Sequence, residues 1–315
     1  DNMRAKQYIE GANLQILHAA PSKATEGDIV YADGADWNPG DGKGAYIYFN
    51  STWNPLMSSD YWLEHAISII AADYGDTVSV VSKNKDLIKF GRSDEVQTGT
   101  KTTLMILPSG TYNETYVASN LITTLSSDHT ADAAPIVVEG HRLTSGAFQF
   151  VVQTSTLSGQ SQITLGTTLA RCTRLYNQGS TDLQGNVYAF ENDTDTAGVP
   201  DTPAGVHCMI RAGQNQSEKA STTISNVDYW IVTGFRADVL EKTAAIADVS
   251  LEVRLQGKVF RQVANVSCSN NHAGMIEFKP YLIIPKNSDV RLRALASSSN
   301  TSVTGVIEGV LAIVV

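Results

Sequence analysis

The chain has 315 residues, of which 42% are hydrophobic and 17% charged, with a formal net charge of −9. This hydrophobic content excludes a disordered chain, and the length fits about two domains at roughly 100–200 residues each. The acidic balance argues against coating nucleic acid, which needs clustered Lys and Arg, and no apolar run reaches the roughly 20 residues of a membrane-spanning helix.

Thr and Ser, 29 and 28 residues, supply much of the polar surface in place of charge. Such a composition favours strands and turns over helices. Residues 1–10 are polar and charged and carry no signal-peptide pattern. Residues 1–57, dense in Gly, Asp and Asn, read as an N-terminal β-hairpin module that docks on something larger. Two short strands are expected there, each ended by a turn. Asp33-Gly34 and Asn50-Ser51 supply residues that tolerate positive φ. The module is rich in aromatics. Trp37, Tyr46, Ile47, Tyr48, Phe49 and Trp53, with Tyr61 and Trp62 just beyond, are the candidate interface residues. Three roles stay open for them: the module's own small core, a contact with another subunit or domain, or a platform on which a host-surface glycan stacks.

Residues 58–200 read as a middle β domain. It opens with a short helix over 58–72, capped by Ser59 or Asp60, with Leu63, Ile67 and Ile70 on one face. Short strands follow at 76–81, 103–107, 136–139, 147–153, 161–165 and 186–190, separated by Gly, Ser and Asn clusters. That rhythm suggests a sandwich or barrel. Residues 192–205 read as a long loop or linker.

Residues 201–315 read as a C-terminal β-sandwich. Eight strands are expected, at 206–211, 228–235, 249–255, 259–266, 275–278, 281–284, 289–296 and 302–315. Leu251, Val253 and Leu255 alternate with Glu252 and Arg254, and Val290, Leu292 and Ala294 alternate with Arg291 and Arg293. One apolar and one polar face per strand is the half-buried antiparallel pattern. Eight such strands fit a jelly-roll-like fold. The apolar tail, 310–315, reads as a last core strand. The expected fold class is thus all-β, a hairpin module with a short helix followed by two sandwiches.

Little in the chain points to catalysis. Cys172, Cys208 and Cys268 are odd in number and widely spaced, which fits buried thiols in a protein made in a reducing cytosol. The six histidines form no zinc motif, and no nucleophile elbow, Walker loop or dinucleotide fingerprint occurs. Asp28, Asp33, Asp36 and Asp41 crowd one Gly-rich stretch, but their spacing does not match a calcium loop of the EF-hand kind. Solvated turns are the plainer reading. No catalytic residue, metal site or cofactor is expected.

Gly27-Asp28-Ile29-Val30, Asp33-Gly34 and Trp37-Asn38-Pro39, followed by Tyr46-Ile47-Tyr48-Phe49-Asn50-Ser51-Thr52-Trp53, resemble a small module of tailed-phage structural proteins. Further along, Leu107-Pro108-Ser109-Gly110-Thr111-Tyr112-Asn113 is similar to virion proteins of marine podophages. So are Arg171-Cys172-Thr173-Arg174-Leu175-Tyr176-Asn177 and Ile284-Pro285-Lys286-Asn287-Ser288-Asp289. Ser51 stands where the module usually has Gly. The resemblance implies a non-enzymatic virion component, made in the host cytoplasm and partnered by other capsid or tail proteins. A capsid decoration, vertex or head-fibre protein assembling as a homo-oligomer, trimer favoured, is the first expectation. A tail fibre, spike or nozzle protein contacting the host surface is the alternative. A glycan hydrolase has no motif behind it. Neither nucleic-acid binding nor membrane insertion is expected.

Overall fold

The structure is a computed structural model. It describes residues 16–21, 23, 28–32, 35–36, 44–49, 51–55, 81–240 and 245–314. The chain divides into a unit of residues 1–82 with Val315 and a unit of residues 83–314. The regular structure of the described residues is strand, apart from one short 3₁₀ turn at Pro203–Gly205. The helix expected over 58–72 lies outside them.

In the first unit, β1 (Ile16–Leu17), β2 (Ile29–Ala32), β3 (Gly44–Phe49) and β4 (Thr52–Pro55) form one sheet in that order. β1 runs parallel to β2, and the other pairs are antiparallel. The β3–β4 hairpin turns at Ser51, whose φ of 63° is the left-handed conformation that a glycine would take at less cost.

The remaining strands are β5 (Val81–Val96), β6 (Thr102–Thr103), β7 (Ile122–Ser127), β8 (Pro135–Thr144), β9 (Ala147–Thr156), β10 (Ile163–Leu169), β11 (Arg171–Asn177), β12 (Val187–Glu191), β13 (Asp195–Thr196), β14 (Val199–Pro200), β15 (Val206–Ile210), β16 (Ser221–Thr223), β17 (Asp228–Val239), β18 (Ile246–Leu255), β19 (Arg261–Ser269), β20 (Gly274–Ile284), β21 (Ser288–Ala296) and β22 (Thr301–Val314). They build two sandwiches.

The larger sandwich pairs a sheet of order β20-β17-β22-β5 with one of order β16-β21-β18-β19, to which β6 adds along β21. Its core holds Trp230, Val232, Phe235, Val249, Leu251, Leu292, Val303 and Ile307. The expected alternation is visible in the register: Leu251 faces Leu292 and Val249 faces Ala294, all buried. The tail strand contributes Val303, Ile307 and Leu311 to this core. The smaller sandwich pairs β10-β7-β12-β15 with β11-β8-β9 around Leu125, Ile136, Val138, Leu175, Val187 and Ile210.

Chain order and domain order differ. β5 and β6 precede the smaller sandwich in sequence, yet they belong to the larger one. The smaller sandwich is therefore an insertion between β6 and β16. The chain leaves and returns side by side, where the Ile106 amide donates to the Glu218 carbonyl at 3.0 Å and Met105 bridges Lys219. Sequence reading placed boundaries after 57 and after 200. The segment 192–205 instead joins β12 to β15, which pair with each other. Strand partners far apart in sequence leave no trace in local periodicity, so an insertion of this kind is invisible to it.

One irregularity matters for the surface. The expected strands 275–278 and 281–284 are a single strand, β20, with a shifted register. Val232 faces Leu282 but Gly234 faces Glu277. Residues 278–281 bulge out opposite Thr233.

Candidate functional site

The expected interface set is only partly within the described residues. Trp37, Tyr61 and Trp62 lie outside them. Tyr46 is 1% exposed, and its neighbours across the sheet are Val30 and Pro55. Tyr48 and Trp53 face each other in the β3–β4 register, with ring centroids 5.1 Å apart and tilted by 58°. The period of two puts Tyr46 and Tyr48 on one face of β3.

Sequence reading missed a second constellation, in the seam between the two sandwiches. Asp289, at the start of β21, is almost fully buried. It accepts hydrogen bonds from Arg171 of the insertion at 2.9 and 3.3 Å, from Arg254 and from the Thr223 hydroxyl at 2.7 Å. Burial alone would raise its carboxyl, but the two guanidinium groups outweigh that and hold it below the usual range. Arg171 also donates to the carbonyls of Val117 and Ala170, each at 2.6 Å.

Aromatic rings line the same seam. Arg254 lies over Tyr116 and Phe260 at 4.5 and 4.7 Å, and Arg291 over Phe260 at 3.7 Å. Glu252 takes Arg291 at 2.9 Å, Lys101 at 3.3 Å and Arg293 at 3.7 Å. Burial raises the Glu252 carboxyl, and these cations bring it below its ordinary value. The polar face read as solvent-facing is therefore an ionic and aromatic joint.

A third group lies nearby. Glu114 binds Lys219 at 2.5 Å and the Ser221 hydroxyl at 2.7 Å, all buried. Lys219 also donates to the His207 carbonyl at 2.8 Å. Beside them are Cys172 and Cys208, free and buried. Burial raises both thiols. For Cys208 the neighbouring Cys172 thiol, Lys219, Ser217 and Lys89 outweigh burial and lower it, while Cys172 is raised. The buried carboxylates Asp289, Glu252 and Glu114 are all held low by cations. None of the three is raised toward neutrality, as a general acid requires. Among the described residues, no three His, Cys, Asp or Glu side chains are grouped to hold a metal ion.

The outer surface offers two kinds of feature. Edge strands carry exposed apolar side chains: Ile88 and Phe90 on β5, Phe150 and Val152 on β9. The β20 bulge forms a cavity of about 290 Å³ lined by Phe235, Phe278 and Tyr281, with Arg236, Glu277 and Glu308 among its charged residues.

No protein-family profile matches the chain, and no curated protein does. Several solved structures align over most of its length at low similarity. The N-terminal tandem domain CBM22-1-CBM22-2 of Xyn10C from Paenibacillus barcinonensis is 13% identical, covers 76% of this chain and 97% of its own, and has a TM-score of 0.20. The infectious bursal disease virus Gt strain structure is 10% identical over 78% of this chain and 77% of its own, at a TM-score of 0.19. The VP2 subviral particle of the same virus is 10% identical over 78% and 76%, at 0.18. At these scores the likeness carries no argument about this chain.

Proposed function

We propose that this chain is a non-enzymatic structural protein of a phage virion, capsid-associated as a decoration, vertex or head-fibre protein, that assembles as a symmetric homo-oligomer. The observation that carries the reading is the strand order of the larger sandwich. Counting β5, β6, β17, β18, β19, β20, β21 and β22 as first to eighth, one sheet runs first, eighth, third, sixth. The other runs second, seventh, fourth, fifth, with the short β16 lying beside the seventh strand next to the second. With β16 set aside, this order fits a jelly roll, an architecture common in viral capsid and lectin domains. Fold alone does not argue function, so the reading leans equally on the surface. Exposed apolar side chains sit on the open edges β5 and β9, where pairing or docking with another subunit would cover them. Closed symmetry is the usual way to do so, and a trimer is the favoured form.

The mass of the purified protein by light scattering tests assembly. A trimer or other closed oligomer is the expected result, and a monomer at all concentrations would count against it. Antibody labelling of intact particles tests position, with label expected on the capsid. The β20 cavity favours a second reading, since aromatic rings beside Arg and Glu suit a sugar. Label at the tail, with binding to host-surface glycans, would select a tail-associated protein instead.

A further inference from the structure

Lys89, on edge strand β5, is buried beneath the seam-side face of the insertion, and its relative exposure is 7%. Its ammonium donates to the Thr173 carbonyl at 2.6 Å, the one acceptor it meets among the described residues. An ammonium has three donors, so two are left over. The charged and titratable groups around it are Cys208, Lys219, Glu139 and Arg174. Lys219 is already matched by Glu114. Glu139 lies 4.0 Å from Arg174. Lys89 thus has no carboxylate of its own. An uncompensated buried ammonium is costly, and proteins neutralise it or give it a counter-charge.

A cavity of about 180 Å³ lies beside it, lined by Lys89, Arg174, Lys219, Gln216, Ser217 and the carboxylate of Glu139, with exposed apolar side chains of β5 also on its wall. At about 30 Å³ per water molecule this is room for several. Its wall is rich in donors. Among the described residues, the buried Arg174 Nε meets no hydrogen-bond acceptor. Gln216 gives its side-chain oxygen to Arg174 at 2.7 Å, which directs its amide hydrogens elsewhere. Ser217 accepts from the Leu175 amide at 2.9 Å and gives its hydroxyl hydrogen to the Cys208 sulfur, so it shapes the wall without donating into the space. Several donors and a single carboxylate, around a space of this size, match a group with several acceptor oxygens.

We propose that this cavity is a binding site for a small tetrahedral oxyanion such as phosphate or sulfate, held by Lys89 and Arg174 with Gln216. The site does not depend on the virion reading. It gives the unmatched ammonium its counter-charge and closes the unpartnered guanidinium Nε.

The test is thermal unfolding and calorimetric titration of the full chain with inorganic phosphate, against sodium chloride at equal ionic strength. Phosphate is expected to raise the unfolding temperature where chloride does not, because a ligand of the folded state stabilises by mass action. Lys89→Met removes the ammonium and keeps the bulk of the stem. It is expected to fold and to weaken phosphate binding by about tenfold or more, the loss of one charge-assisted hydrogen bond. Arg174→Gln is expected to weaken it as well, and serves if Lys89→Met does not fold. Equal responses to phosphate and chloride would overturn the proposal. So would an undiminished phosphate response in a folded Lys89→Met or Arg174→Gln protein. In that case the Cys208 thiolate is the counter-charge, which thiolate absorbance near neutral pH would display.

Discussion

Asp289 carries the charge balance of the seam, since two guanidinium groups from different sandwiches converge on it. Asp289→Asn leaves both cations without a full counter-charge and is expected to cost about 3–5 kcal/mol, measured by urea unfolding. Its pH signature has a definite sign. The folded carboxyl titrates below its unfolded value of about 3.9, so the folded state holds fewer protons between the two. The stabilisation is complete above the unfolded value and is lost as pH falls toward the folded one. Unfolding titrations of Asp289→Asn between pH 7 and 3 are expected to show a shallower acid loss than the parent chain. Little of this was legible beforehand. Cys172, Cys208 and Cys268 read correctly as buried thiols, because cysteines outside any spaced motif are among the residues most often buried, but the pairing of Cys172 with Cys208 left no local trace. Arg291 and Arg293 read as a solvated face, because alternation reports which face is polar and not what covers it.

Among the elements, β5 was the largest omission. Its sequence mixes Lys, Asn, Asp and Ser with few apolar residues, as suits an edge strand with one wet side. Gly91 shows how closely it is seated. A Cβ there would meet the Ala220 amide and the Leu104 carbonyl at 2.1 Å, and neither backbone can yield. Gly91→Ala is expected to destabilise by at least about 1–3 kcal/mol or to prevent folding, read from the denaturant midpoint. β9 offers the opposite case. Phe150 and Val152 are 41% and 55% exposed on an edge strand, so charge there costs the folded chain little. The pair Phe150→Lys and Val152→Lys is expected to dissociate an oligomer built on this edge while shifting the unfolding temperature only slightly. Light scattering with calorimetry would show it. An oligomer that survives the pair places its interface elsewhere. β20 was legible as strand but not as one strand, because the bulge at 278–281 mimics a turn.

For the whole molecule, all-β character and the sandwich class were legible from composition and alternation. The nesting of one sandwich inside the other was not. Which strands become partners is decided by packing across the whole chain, as when β5 and β22 pair from opposite ends of the larger sandwich. That pairing must wait until the insertion is spanned, so its closure entropy is met before its contacts form. Refolding followed by Trp230 fluorescence is therefore expected in the slow range of β proteins, milliseconds to seconds or longer, with the smaller sandwich forming first. Pulse-labelled hydrogen exchange would order the two; earlier protection in β17 and β22 than in β7 and β12 would reverse that order. The side-by-side departure and return at Ile106 and Glu218 has an evolutionary meaning as well. Two neighbouring splice points bound a whole sandwich, so in-frame recombination there can exchange or lengthen the inserted domain while the parent scaffold keeps its strand order. Diversity among descendants of this chain would then collect between those two positions, on a constant frame.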